Sequence, residues 1–238
     1  MTLDNLGLTR QKLAQVAAYL LFAQFLLFVG FTIALLANSQ FFVPASAVVI
    51  ADFLTELGTN SIGFFIAKSI LLALRTCYSL SFIFIAILFW KKAPIASAAV
   101  ASSMLLSVAI INVAQLMGIA LIPIAQEYAA ALSQSDQIRM AVLEASAFGI
   151  FAVQDYLDLF VNAVTFNIFF VGLFGILNHE ERLKNVKWLI PIMMILPFNR
   201  FFELPGLVSG GAGLTNVIVT AIFFLLLGRF FLNMASTE

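Results

Sequence analysis

Six apolar runs, each long enough to cross a bilayer, dominate this sequence. They lie at approximately 13–37, 62–90, 96–124, 149–178, 187–206 and 212–234. A transmembrane helix needs about 20 predominantly apolar residues to cross a hydrocarbon core of about 30 Å. Because a segment in lipid must satisfy its own backbone hydrogen bonds, such runs favour α-helices. The sequence therefore predicts one all-α membrane domain, a bundle of six transmembrane helices, over residues 1–238.

The composition excludes an ordinary soluble domain. Hydrophobic residues make up 63% of the chain and charged residues only 10%, with a mean hydropathy of +1.07. A typical soluble domain is about one quarter charged. The 12 lysines and arginines balance the 12 aspartates and glutamates. Because no net positive charge is present, we expect no nucleic-acid partner. The apolar composition indicates that membrane lipid surrounds the chain.

Histidine and cysteine are too scarce for the common metal and haem sites. The single cysteine, Cys77, lies in an apolar run, which excludes a disulfide framework and a cysteine-rich metal site. The single histidine, His179, lies in a charged turn. A haem with two histidine ligands and a zinc site with three are therefore excluded. We expect neither a metal nor a cofactor.

The first apolar run follows Arg10 and Lys12, as the apolar region of a signal peptide would. However, the run at 13–37 is long enough to span, and no clean small-x-small cleavage site follows it. We interpret this run as the first transmembrane helix.

The distribution of positive charge predicts the orientation of the bundle. The cations collect on one side of the predicted spans: Arg10, Lys12, Lys91, Lys92, Arg182, Lys184, Lys187 and Arg229. The loops on the other side carry mainly carboxylates: Asp52, Glu56, Glu127, Asp136 and Glu144. Cytoplasmic loops carry an excess of lysine and arginine. We therefore expect a bacterial-type inner (plasma) membrane protein with both termini in the cytoplasm.

Two outer loops, at roughly 38–61 and 125–148, are long for a compact bundle. Both mix apolar and charged residues, and the second places Ile138, Val142 and Leu143 at helical spacing. Both loops could hold short amphipathic helices on the outer surface. The second could equally be an outward extension of the fourth span.

Six ionisable residues fall inside the predicted spans, where a charge is costly and normally faces a partner or a water-filled cavity. They are Lys68, Arg75, Asp155, Asp158, Arg200 and Glu203. A rise of about 1.5 Å per residue places them, together with Asn112, Gln115, Asn162 and Asn216, mainly in the outer half of the bilayer. At about 100° per residue, Asp155, Asp158 and Asn162 also share one face of their helix.

These residues predict a charge-balanced polar site that binds or transports a small polar or amphiphilic ligand. The candidate ligand contacts are Arg75, Asp155, Asp158, Asn162 and Arg200. The candidate supporting residues are Lys68, Asn112, Gln115, Glu203 and Asn216. Pro197 interrupts the fifth span just before Arg200, and broken helices line binding sites in many transporters.

Other interpretations stay open. The same residues could form a structural network in which Arg75 pairs with Asp155 or Asp158 across helices. The protein could be a non-catalytic subunit of a larger membrane complex, or a homo-oligomer. An intramembrane enzyme could use Asp155 and Asp158 as acid and base, but no nucleophile or metal partner is identifiable. Non-enzymatic function is therefore favoured.

The order of features resembles a bacterial family of six-span proteins known as a domain of unknown function, the DUF4386 type. The shared features are a long loop after the first span, the sequence Phe89-Trp90-Lys91-Lys92 at the end of the second, a polar insertion before the fourth, and a charged turn from His179 to Trp188. The resemblance implies a compact six-helix bundle. It implies no activity and assigns no functional residue.

Overall fold

The computed structural model describes residues 9–37, 49–183, 185–194 and 210–237. These residues form helices and turns, and no strand occurs among them. The α-helices are α1 Arg10–Ala37, α2 Ile50–Thr59, α3 Ser61–Phe89, α4 Pro94–Ile119, α5 Leu121–Ser133, α6 Gln137–Phe160, α7 Phe166–Asn178 and α8 Gly210–Thr237. A π-helical turn, Val161–Thr165, joins α6 to α7. The all-α prediction is thus confirmed for the described part of the chain.

Among the described residues, five helical stretches are long and apolar enough to cross a membrane. They are Arg10–Ile33, Ser61–Phe89, Pro94–Ser133, Gln137–Phe160 and Ile218–Ser236, with Phe166–Asn178 as a shorter apolar helix. These features are those of a helical membrane protein. Most of the predicted span at 187–206 lies outside the described residues.

Several helices extend beyond the ends of the apolar runs. Helix α5 continues to Ser133, although the third run was placed at 96–124, and α6 begins at Gln137, although the fourth was placed at 149–178. A tight turn at 134–136 joins them, and Ser135 adopts a φ of 55° there. The long polar insertion is therefore a helical hairpin, and α6 is the extension that one interpretation anticipated.

The first long loop contains the amphipathic helix that its pattern predicted. In α2 the buried face carries Phe53, Leu54 and Leu57, while Asp52 and Glu56 are exposed. Burial of large apolar side chains on one face, with charges on the other, is the usual stabilisation of a short helix.

The chain divides into two compact units, which we describe separately. The first unit comprises Met1–Phe28, Leu74–Ala109 and Leu159–Glu238, and the second comprises Val29–Ala73 and Ile110–Asp158.

The described interior of the first unit is rich in aromatic rings. Tyr78 is packed among Phe82, Phe166, Phe169 and Phe224, with ring centroids 4.9 to 6.0 Å apart. Such tilted and edge-to-face pairs add about 0.5–1.5 kcal/mol each beyond their burial.

Helices α4 and α7 of the first unit make close contact at Gly172. A Cβ atom built on Gly172 would lie 2.9 Å from the backbone oxygen of Ala96 and 3.1 Å from the Cβ of Ala99. Small residues at such crossings let the two helix backbones approach.

The second unit has its own apolar core, in which α2 packs against α5. The ring of Phe53 lies 4.7 Å from that of Phe151 and 6.1 Å from that of Phe64. Leu121, Ala125 and the remaining members of this core are fully or almost fully buried. Part of α3, the end of α4 and most of α6 complete the unit and bring together the polar residues described next.

Candidate functional site

A buried lysine is the centre of the candidate site. Lys68 lies on the part of α3 that belongs to the second unit, and it is only 5% exposed. Its Nζ atom lies 5.3 Å from the centre of the Phe64 ring, one helical turn earlier. A cation over an aromatic face gains about 0.5–2 kcal/mol, which offsets only part of the cost of burying an ammonium group.

Two carboxylates on α6 supply the opposite charge. Asp158 and Asp155 both attract the Lys68 ammonium electrostatically, and both are half-buried. Their spacing of three residues places them on one face of the helix. The structure therefore brings together three of the ionisable residues that the sequence singled out, with both signs of charge represented.

Gly118 of α4 makes room for the lysine. A Cβ atom at this position would lie 3.3 Å from Cε and 3.4 Å from Nζ of Lys68. The same Cβ would lie 3.4 Å from Oε1 of Gln154, which comes from α6. The end of the Lys68 side chain is thus enclosed where α3, α4 and α6 converge within the second unit.

Amide oxygens add hydrogen-bond acceptors to this region. Oε1 of Gln154, Oε1 of Gln115 and Oδ1 of Asn112 are all buried, and none makes a hydrogen bond to another described residue. Gln115 precedes Gly118 by one helical turn, and Asn112 precedes Gln115 by about another. A buried acceptor without a donor costs about 1–3 kcal/mol, so a donor brought by a ligand would stabilise any of these oxygens. The first unit also holds buried polar atoms of this kind, Nε2 of Gln24 and Oγ of Ser97.

Of the other predicted site residues, one with a described side chain belongs to the first unit, and four lack a described side chain. Arg75 belongs to the first unit, where its guanidinium carbon lies 5.2 Å from the centre of the Phe166 ring. Asn162 lies in the π-helical turn and Asn216 in α8, and only their backbones are described. Arg200 and Glu203 lie outside the described residues.

Two contributors to the cluster were missed from the sequence. Gln154 immediately precedes Asp155 and lies four residues before Asp158, so its position on the polar face of α6 was a usable signal. Gly118 carried no such signal, because its role depends on which helices meet there. Lys68, which was assigned a supporting role, is the residue around which the others gather.

The chemistry of the cluster is that of recognition and charge compensation. An ammonium group donates hydrogen bonds, whereas ionised carboxylates and amide oxygens accept them. Among the described residues no group of histidine, cysteine, aspartate and glutamate is arranged to hold a metal ion. The arrangement can therefore bind a molecule that carries hydrogen-bond donors, or one that carries charges of both signs.

Comparisons with known proteins add no relative. No family model, no curated protein and no solved structure matches this chain. The function is therefore inferred from the geometry of the site.

Proposed function

We propose that this protein binds or transports a small polar or amphiphilic ligand within the membrane, at the cluster formed by Lys68, Asp155 and Asp158. The observation that carries the proposal is the combination of a lysine that is 5% exposed with a neighbouring buried amide oxygen of Gln154 that lacks a donor. The buried amide oxygens beside the charged groups supply acceptors that the hydrogen-bond donors of a ligand can use.

The resemblance in layout to six-span bacterial proteins is consistent with this proposal, and it identifies neither the ligand nor the residues that bind it. The arrangement of charges favours an inner-membrane protein with both termini in the cytoplasm and the ligand site in the outer half of the bilayer. Arg75 and the predicted residues of the fifth and sixth spans, Arg200, Glu203 and Asn216, are candidate further contacts.

Native mass spectrometry of gently extracted protein tests the proposal. The wild-type protein is expected to retain a small molecule that Gly118→Ala loses, because the added methyl group enters the space of Lys68 and Gln154. Gly149→Ala is the matched control, since a Cβ at Gly149 meets nothing within 4 Å and lies in the same unit. Lys68→Met should also lose the molecule.

The outcome separates the proposal from its alternatives. A structural network predicts that Gly118→Ala lowers stability while the wild-type protein retains nothing. A subunit of a larger complex predicts a stoichiometric partner chain in the spectrum. An enzyme predicts turnover that Asp158→Asn abolishes while the fold is retained. Any of these results in place of a retained ligand would contradict ligand binding.

The orientation is tested by cysteine labelling in intact cells. In a background in which Cys77→Ser removes the natural cysteine, a membrane-impermeant maleimide should label Ser135→Cys but not Lys91→Cys. Both positions are exposed in the structure, so accessibility to water should depend on the side of the membrane alone. Labelling of Lys91→Cys without Ser135→Cys would reverse the topology.

A further inference from the structure

A groove between α4 and α7 lies in the first unit, and Lys68 and its neighbours are not among its lining residues. It has a volume of about 670 Å³, within the range of about 300–1,000 Å³ in which small ligands are usually held. Its floor lies where the two helices touch at Gly172. All of its lining residues belong to the first unit.

The walls of the groove are apolar. Ile95 of α4 is 86% exposed, and Ile168 and Val171 of α7 are 47% and 68% exposed. These side chains belong to helices whose composition is that of membrane segments. Large exposed aliphatic side chains around a groove of this size favour a hydrocarbon chain as the occupant.

One end of the groove carries cationic and polar side chains. Lys92 and His179 both line it, and Lys92 Nζ lies 3.3 Å from Glu180 Oε2. An ammonium group has three donors, so the contact with Glu180 leaves two for another acceptor. In the sequence, the neighbours of Lys92 and His179 are Lys91, Arg182, Lys184 and Lys187 against Glu180 and Glu181, an excess of positive charge even before Lys92 is counted.

We infer that this groove binds one anionic phospholipid, with an acyl chain along Ile168 and Val171 and the phosphate at Lys92 and His179. Basic sites between transmembrane helices on the cytoplasmic side are well suited to anionic head groups. The apolar walls favour a lipid over a free phosphate ion, because a phosphate ion has no apolar part to pack against them. This inference is independent of the proposed ligand site at Lys68.

The test uses full-length protein in nanodiscs that contain equal amounts of phosphatidylglycerol and phosphatidylcholine, followed by native mass spectrometry of the released protein. Wild-type protein should retain phosphatidylglycerol in preference to phosphatidylcholine. The double variant Lys92→Gln/His179→Gln should lower that preference by about fivefold, the effect expected for one basic contact near the membrane surface. Lys91→Gln is the matched control, because Lys91 is adjacent but does not line the groove.

A second pair of variants tests the apolar part. Val171→Trp fills the groove and should lose the retained lipid. Leu105→Trp, at an exposed position of α4 away from the groove, should not. Circular dichroism and chromatography establish that each variant is folded. Equal retention of both lipids by the wild-type protein, or an unchanged preference in the double variant, would overturn the inference, as would a retained protein chain in place of lipid.

Discussion

Gly172 in the first unit and Gly118 in the second both lie at close contacts between helices, but they serve different purposes. In the first unit, Gly172 allows two helix backbones to touch, and the nearest atom to its absent Cβ is a backbone oxygen of Ala96. In the second unit, Gly118 leaves room for the ends of two polar side chains, Lys68 and Gln154. The same residue type therefore serves the packing of backbones at one contact and the accommodation of a charge at the other.

The buried polar groups differ in the same sense. In the first unit, the hydroxyl of Ser81 lies 2.8 Å from the backbone oxygen of Tyr78 and 3.3 Å from Oε1 of Gln24, and Ser81 and Gln24 are neutral and fully buried. In the second unit, the buried Lys68 is attracted by two aspartates, whereas the buried Lys187 of the first unit donates to the neutral amide oxygen of Asn178. A neutral hydrogen bond stabilises by about 1 kcal/mol, whereas a charge without compensation costs several. We therefore expect changes at Lys68, Asp155 and Asp158 to alter stability more than changes at Ser81 and Gln24.

The largest effect is expected from removal of both carboxylates. Asp155→Asn/Asp158→Asn keeps the side-chain volumes but leaves the Lys68 ammonium without its opposite charges. The free energy of unfolding should fall by about 3–5 kcal/mol, the cost of breaking a buried charge pair. Thermal and denaturant unfolding in detergent measure this change.

Addition of Lys68→Met to that double variant provides the control. Removal of the Lys68 charge should recover much of the lost stability, because the buried ammonium that lost its opposite charges is then absent. If the triple variant is as unstable as the double, electrostatic attraction is not what the aspartates supply, and the contrast between the two units fails.

An intermediate effect is expected at the backbone contact of the first unit. Gly172→Ala places a methyl group 2.9 Å from a backbone oxygen, which can move only if the helices separate. Overpacking of this kind costs about 1–3 kcal/mol. Unfolding of this variant should be compared with that of Gly149→Ala, which has open space around it and should not be destabilised. Equal stability of the two variants would show that the contact at Gly172 is not tight.

The smallest effect is expected at Gly118, because the neighbouring atoms there are the ends of flexible side chains at 3.3–3.4 Å. Gly118→Ala should lower the free energy of unfolding by about 1 kcal/mol, near the low end of overpacking costs. In a Lys68→Ala background the same substitution should be nearly neutral, with a coupling energy of about 0.5 kcal/mol or more. Additive effects would mean that the methyl group and the lysine do not compete for space.

Sequence reasoning predicted the class of the fold and part of the site because both follow from local patterns. Apolar length alone indicates membrane helices, and the alternation of Phe53, Leu54 and Leu57 with Asp52 and Glu56 predicts α2. The ionisable residues Lys68, Asp155 and Asp158 could be identified because charges are rare inside such helices.

The ends of the helices were harder to place. Gln126 and Glu127 indicate where an apolar run ends, and the predicted third span stops just before them. However, nothing at that point breaks a helix, since Pro123 lies in the first turn of α5, where proline is tolerated. A helix can thus continue past the point at which its composition ceases to suit lipid.

The contacts between helices were not accessible from the sequence at all. The meeting of Gly118 with Lys68 and Gln154 depends on the rotation of three helices about their axes. Hydropathy does not specify these rotations, and the π-helical turn at Val161–Thr165 breaks the regular period from which they could be extrapolated. The sequence could therefore supply candidates for the site but not its arrangement.

The space at Gly118 has a consequence for evolution. Gly118 carries no functional group, yet the absence of its side chain leaves the space that the end of Lys68 occupies. Substitution at either position should therefore change which residues are tolerated at the other. Among homologous chains we expect the two positions to co-vary, with alanine or serine at 118 appearing mainly where 68 is shorter than lysine.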